Sequence, residues 1–300
     1  MRVFKFAVEE IIMKQVFVCG VFSENSGKTT LCRALIEYLA SIGVRVSAFK
    51  PLSGHSFWEQ YDCYLECLRI GSIFCEDAYE LWKLVNVKVP IEVLNPADIL
   101  TTIPDIIKLI DKNSINNIFN STIYNWMYIG RFTIAHKGKL EHIVYYNVNE
   151  EIIHLDEIIR KLKIKISKLI PINEFNDFMK VHEEFYYNAV NSCYELISKN
   201  VDLIVVEGFN DSIYPWSGVE NSTIVLAVSP GHIIIYNAKE FYKAINNQKT
   251  IKVFYDVASK VKPIKILRIP PLTKHDIKDT TILVRKYSNA LAEIVNILKL

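Results

Sequence analysis

The stretch QVFVCGVFSENSGKTT, residues 15–30, decides the fold. Its apolar run 16–19 reads as a buried strand, residues 21–26 as a loop, and Gly27-Lys28-Thr29-Thr30 as the head of an amphipathic helix. Strand, loop and helix in that order are the context of a phosphate-binding loop. Backbone N–H groups of the loop and of the helix N-terminus surround a polyphosphate, Lys28 reaches its terminal phosphates, and the Thr29 hydroxyl is placed to ligate Mg2+. Asn25, Ser26, Gly27, Lys28, Thr29 and Thr30 are therefore the candidate nucleotide contacts. The loop is irregular. The common pattern has a glycine five residues before the Gly of GKT, where this chain has Phe22, and the nearest upstream glycine is Gly20. Gly27 still permits close backbone approach, Ser23 and Ser26 are small, and Lys28 and Thr29 keep their register.

Outward from the loop, Leu31, Ala34, Leu35, Tyr38 and Leu39 recur at helical spacing, and Gly43 stops the helix. VRVSAF, residues 44–49, is a second strand, so 15–49 form a right-handed parallel unit that binds ligands at the carboxyl ends of its strands. Lys50-Pro51-Leu52-Ser53-Gly54-His55 lies at such an end. Lys50 is placed there to add a second positive charge over the phosphates or to hold an acidic substrate; a solvated lysine before a proline turn is the plainer alternative. Further on, VDLIVV, residues 201–206, suits a central strand buried on both faces, and Glu207 ends it. A carboxylate at that end binds Mg2+ directly or through water, opposite Lys28 and Thr29. Lys28, Lys50 and Glu207 are the candidate catalytic groups, and Thr29 and Glu207 candidate metal ligands.

The run GKTTLCRALIEYLASIGVRVSAFKPLSG, residues 27–54, resembles the opening of dethiobiotin synthetase and its relatives, a P-loop group that also includes cobyrinic acid amide synthases and partition-type ATPases. VDLIVVEGFND (201–211) resembles that family's second metal-binding strand, TIVLAVSPGHIIIYNAKEFYKAI (223–245) the strand, glycine turn and Asn-containing helix after it, and ILRIPPL (266–272) the final strand. The resemblance implies ATP and Mg2+ as cofactors and an α/β fold with a mostly parallel central sheet flanked by helices. It also implies that an aspartate after the Lys-Pro turn helps to hold Mg2+, with Asp62 the nearest candidate and Asp77 the second; each also reads as an exposed acid near a helix N-terminus. By the same resemblance the nucleotide base lies against Ile269, Pro270 and Pro271. Where the family has a glycine-rich substrate loop after Glu207-Gly208, this chain has Phe209-Asn210-Asp211, so the acceptor substrate is open.

The remaining chain reads as follows. Residues 56–85 form two helices, and 87–105, with Pro90, Pro96 and Pro104, a long ordered loop crossing the surface. Residues 115–147 are rich in β-branched and aromatic side chains and turn at His136-Lys137-Gly138-Lys139, a hairpin within a β-rich insertion at about 112–149. Its aromatics Tyr124, Trp126, Tyr128, Phe132, Tyr145 and Tyr146 either stack on a ligand or partner or pack one face on the domain. Residues 150–169 and 174–199 are helical by spacing, 223–228 a strand, 235–246 a helix, 265–269 the last strand and 280–298 an amphipathic helix. Residues 1–12 read as an N-terminal extension ahead of a P-loop domain over 13–300.

Three hundred residues, 50% of them hydrophobic, support a folded chain with a substantial core. A formal charge of +2 gives no electrostatic case for nucleic acid as a partner, and no apolar run reaches the length of a membrane span. Six cysteines without a zinc spacing read as buried reduced thiols of a cytoplasmic protein; the seven histidines show no paired ligand spacing, and His55 and His232 read as plain loop histidines at turns. The expected function is a Mg-ATP-binding enzyme, an ATPase or an ATP-dependent ligase or phosphotransferase with a small-molecule acceptor, and a homodimer is one option for its assembly. The alternative is a nucleotide-controlled switch or scaffold using ATP or GTP. Partition-type ATPases carry a second lysine near the start of the loop, and Phe22-Ser23-Glu24-Asn25 has none.

Overall fold

The computed structural model of the chain describes residues 13–116, 126–245 and 253–300. The extension 1–12, Tyr124 and the end of the helix expected over 235–246 lie outside the described residues. Along the chain run β1 (Lys14–Gly20), α1 (Lys28–Ser41), β2 (Val46–Phe49), β3 (Ser53–Ser56), α2 (Tyr61–Ile70), α3 (Glu76–Leu84), α4 (Ile91–Leu94), β4 (Ala97–Thr101) and α5 (Ile106–Asp111). Then follow β5 (Met127–His136), β6 (Lys139–Asn147), α6 (Asp156–Lys161), β7 (Ile166–Ile172), α7 (Phe175–Ser198) and β8 (Leu203–Glu207). The chain closes with β9 (Ile224–Ser229), β10 (His232–Asn237), α8 (Ala238–Lys243), α9 (Tyr255–Ala258), β11 (Lys265–Arg268), α10 (Lys274–Lys278) and α11 (Thr280–Leu298). This is an α/β protein with two mixed sheets.

The first sheet has the order β11-β10-β9-β1-β8-β2. β1 pairs in parallel with β8 and β9, and β2 with β8, while β10 is antiparallel to both its neighbours. The uninterrupted apolar runs of β1, β8 and β9 follow from burial on both faces. Val16, Val18, Leu203, Val205 and Leu226 share a core with α1 and α11; Phe17, Ile204, Val206 and Val225 share one with α7. α7 is a helix because Val181, Phe185, Ala189, Cys193 and Ile197 recur every four residues and are all buried. Each large apolar side chain so buried contributes about 1.5–3 kcal/mol. α11 starts where Asp279 accepts hydrogen bonds from the backbone N–H groups of Thr281 and Ile282.

The second sheet has the order β3-β4-β5-β6-β7. The hairpin of β5 and β6 turns at Lys137 and Gly138, both at positive φ (48° and 77°), as a two-residue turn matched to strand twist requires. One face of this sheet, with Phe132, Ile143 and Tyr145, joins the α7 core; Leu100, Tyr128 and Val144 pack with Cys63, Tyr64 and Cys67 of α2 and Ile158 of α6. The β-rich region therefore extends well beyond 112–149, from Ser53 to Ile172.

Three stretches differ from their sequence reading. Residues 87–105 are not a surface loop: α4 is buried throughout, and β4 is an interior strand that Pro96 and Pro104 merely bracket. Residues 150–169 hold only the short α6, and the apolar positions after it belong to β7, an edge strand and so tolerant of Pro171. The run HIIIYN is β10, returning antiparallel to β9 through Pro230-Gly231, and the helix starts only at Asn237, whose side chain accepts from Glu240 N–H. β-Branched runs favour the strand there, where periodicity alone is ambiguous. All six cysteines are buried and free. Among the described residues, no helix is long and apolar enough to cross a membrane.

Register positions the site. Phe49 of β2 lies opposite Val206 of β8, so the next residues on each strand, Lys50 and Glu207, leave the sheet side by side. Val18 of β1 lies opposite Glu207, which brings the loop after Gly20 to the same edge. The chain then passes from the first sheet into the second between Lys50 and Ser53, so the seam between the sheets opens beside the loop.

Candidate functional site

The loop after β1 is held by its own atoms. The Ser26 hydroxyl donates to the Phe22 carbonyl oxygen (2.8 Å) and accepts from Phe22 N–H (2.9 Å), drawing the loop into a closed turn. Asn25 (φ 53°) and Gly27 (φ 88°) both occupy the left-handed region, which turns successive N–H groups inward. α1 begins without a side-chain cap and with no acid in its first turn, so its leading N–H groups are left for an anion. Gly20 explains the displaced glycine of the motif. A Cβ there would lie 2.5 Å from the Phe22 carbonyl oxygen and 3.1 Å from Lys28 Nζ, so the loop folds back over strand β1 only because this position has no side chain.

At the foot of the loop, four side chains converge. Lys50 Nζ donates to Glu207 Oε1 (2.9 Å) and Asp77 Oδ2 (3.0 Å). Thr29 Oγ1 lies 2.9 Å from both Asp77 Oδ1 and Glu207 Oε1. Lys50 (4% exposed side chain) and Glu207 (0%) are buried, whereas Asp77 (43%) faces the cleft. Burial pulls the Lys50 ammonium down, but the charges of Asp77 and Glu207 outweigh it and hold it well above the usual lysine range. Burial pushes both carboxyls up. In Asp77, Lys50 and the Thr29 hydroxyl reverse that and bring it below the aspartate range; in Glu207, the neighbouring Asp77 adds to burial and the carboxyl stays above the glutamate range.

This set is short of positive partners. Thr29 has one hydroxyl proton for two acceptors at equal distance, and Glu207 Oε2 is buried with no hydrogen-bond partner. Among the described residues there is no all-protein cage of three or more His, Cys, Asp or Glu ligands. Mg2+ does not need one, because it keeps several waters and is held by one or two carboxylates together with phosphate oxygens. One hydroxyl and two carboxylates beside the uncapped start of α1 fit that ion.

The cleft over this foot has a volume of about 570 Å³ and is lined by residues 23–30 of the loop, by Lys50, Cys75 and Asp77, and on the far side by Ser53, Gly54, Phe209 and Asn210. The candidates Asn25, Ser26, Gly27, Lys28, Thr29, Thr30 and Lys50 line it together, and Glu207 backs it. Asp62 does not join them. It sits exposed in the first turn of α2, outside the lining, and the second candidate, Asp77, is the acid that meets Thr29 and Lys50. Pro270 and Pro271 are also exposed and outside the lining, beyond β11 at the edge of the first sheet, three strands from β1.

Sequence reasoning missed a second polar group behind the far wall. Ser53 lies opposite Asp98 in the β3–β4 register and donates to its Oδ1; His55 Nδ1 is 3.2 Å from Asp98 Oδ2. All three residues are at most 3% exposed. Asn95 donates to the Lys50 carbonyl oxygen (2.9 Å), and Lys50 N–H donates to the Leu94 carbonyl (2.9 Å), so the backbone of Lys50 is fixed from this side. Arg131, fully buried, donates to the carbonyl oxygens of Ile73 (2.9 Å) and Asn95 (2.7 Å) and stands opposite Asp98 on β5. The available signal was an aspartate inside the apolar run ADIL, which a strand reading of 97–101 exposes. Compared with known proteins, the chain matches no family model and no curated protein.

Proposed function

We propose that the chain is a Mg-ATP-binding P-loop enzyme, resembling dethiobiotin synthetase in its nucleotide machinery, that hydrolyses ATP or couples it to ligation or phosphoryl transfer. The observation that carries this reading is the convergence of Thr29 and Lys50 on Asp77 and Glu207, each contact 2.9–3.0 Å, at the foot of an uncapped, acid-free helix N-terminus. Phosphoryl transfer is achieved mostly by positioning and charge neutralisation, and these groups have the types it needs. The loop N–H groups and Lys28 hold the β- and γ-phosphates. Thr29, Asp77 and Glu207 hold Mg2+ together with phosphate oxygens and water, and the bound ion neutralises charge that builds on the phosphates. Lys50, already charged in its buried position, adds a fixed cation beside them. The far wall, with Ser53, Gly54 and Phe209, is the side left for an acceptor.

The reading is tested by calorimetric titration of Mg-ATP and Mg-GTP into the wild-type chain and the Lys28→Ala variant, followed by assay of phosphate release. Saturable binding that falls at least tenfold in the variant supports it. Equal affinity in the two proteins removes the loop from the account.

A further inference from the structure

We propose that the Ser53 hydroxyl takes the proton of the group that attacks the terminal phosphate, and that Asp98, paired with His55, holds Ser53 in place and receives the proton that Ser53 gives up. This rests on the nucleotide reading above. Ser53 lines the cleft together with Lys50, Thr29 and Asp77, although it is only 2% exposed. Its hydroxyl donates to Asp98 Oδ1, with Asn95 Oδ1 a second acceptor 3.1 Å away, which leaves an oxygen lone pair for a donor in the cleft.

The other acids near the phosphates are unsuited to the task. Asp77 and Glu207 are engaged by Lys50 and Thr29, and Glu24 and Glu59, which also line the cleft, are exposed and solvated. Asp98 is buried, and the groups facing it are His55 from β3, Arg131 across from it on β5 and Tyr145 from β6, with the Cys63 thiol of α2 next to His55. The pair is under-bonded for a purely structural network: His55 Nε2 and the Tyr145 hydroxyl are buried without hydrogen-bond partners, and His55 Nδ1 and Asp98 Oδ2 face only each other, at 3.2 Å. Burial pulls His55 down, yet Asp98 beside it raises it above the usual histidine range, which favours an imidazolium that compensates the Asp98 charge.

In the step itself, the proton of the attacking O–H passes to Ser53 Oγ as the Ser53 proton passes to Asp98 Oδ1. The new P–O bond forms, and the bond to the leaving diphosphate breaks and departs with its electron pair. With no acceptor present, water is the nucleophile.

The test measures Mg-ATP affinity by calorimetry and phosphate release across about pH 5 to 9 for the wild-type chain, Ser53→Ala, Ser53→Thr and Asp98→Asn. All four are expected to bind Mg-ATP within about twofold of one another. Ser53→Ala and Asp98→Asn are expected to lose about a hundredfold in kcat with a changed pH profile, and Ser53→Thr to retain wild-type turnover within about fivefold. Packing alone predicts no rescue by threonine and no change in the profile. If Asp98→Asn does not fold, the two Ser53 variants decide. Binding without phosphate release by the wild-type chain, or wild-type turnover in Ser53→Ala, overturns this proposal alone; absence of Mg-ATP binding by the wild-type chain overturns it together with the nucleotide reading.

Discussion

In the first sheet the charged groups gather just past the strand ends, where Lys50, Asp77 and Glu207 meet a loop open to a cleft; in the second they lie inside the sheet, with Asp98 and Arg131 in mid-strand and fully buried. The first arrangement leaves Glu207 Oε2 without a partner beside the uncapped start of α1. The second gives Arg131 the carbonyl oxygens of Ile73, between α2 and α3, and of Asn95, just before β4, and through Asn95 it fixes the backbone of Lys50. One sheet gathers charge at an open cleft, and the other buries it between strands.

The comparison breaks most visibly at Arg131. Arg131→Ala leaves the Ile73 and Asn95 carbonyl oxygens without their donor and Asp98 without the cation opposite it, so it is expected to cost about 3–5 kcal/mol in urea unfolding. A loss under 1 kcal/mol would mean that the buried network supports nothing.

The histidines of the second sheet sharpen it next. Burial and the Arg131 charge lower His142 to about 4, so on acidification from pH 6.5 to 4 the unfolded chain takes up a proton that the folded chain refuses. Stability falls over that interval, and His142→Asn flattens the acid side of a stability–pH curve. His55 works in the opposite sense. Its raised value makes its contribution complete below pH 6.5 and lost as pH rises through the folded value, so His55→Asn flattens the neutral side.

In the first sheet the expected losses are of ligand affinity. Gly20→Ala places a Cβ 2.5 Å from the Phe22 carbonyl oxygen and must push the loop off its strand, with Mg-ATP affinity expected to drop about tenfold, or about 1.4 kcal/mol. The smallest contrast separates two acids: Asp77→Asn is expected to weaken the Mg2+ dependence of nucleotide binding about fivefold, and exposed Asp62→Asn less than twofold. Equal effects would mean that α2 reaches the metal.

The same contrast explains what the sequence could tell. Gly27, Lys28 and Thr29 are contiguous, and Lys50 and Glu207 each end an apolar run, so local pattern sufficed to put them on one edge. Asp77 was harder, because its place depends on how α3 packs against α1 and not on its own neighbours. Asp98, His55 and Arg131 were hidden for a different reason. Their meeting depends on β3, β4 and β5 being paired, and prolines at 90, 96 and 104 disguised β4 as a loop. The helix read into 150–169 failed likewise, since a few isoleucines at mixed spacing fit either period until β6 supplies a partner for β7.

The central claim is that the loop at residues 21–30 and the Lys50–Asp77–Glu207 set form one Mg-nucleotide site. Its most direct test is calorimetric titration of ATP into the wild-type chain and Lys28→Ala, each with and without Mg2+. Saturable binding that needs Mg2+ and falls at least tenfold in the variant is the predicted result; affinity indifferent to both the metal and Lys28 would contradict it.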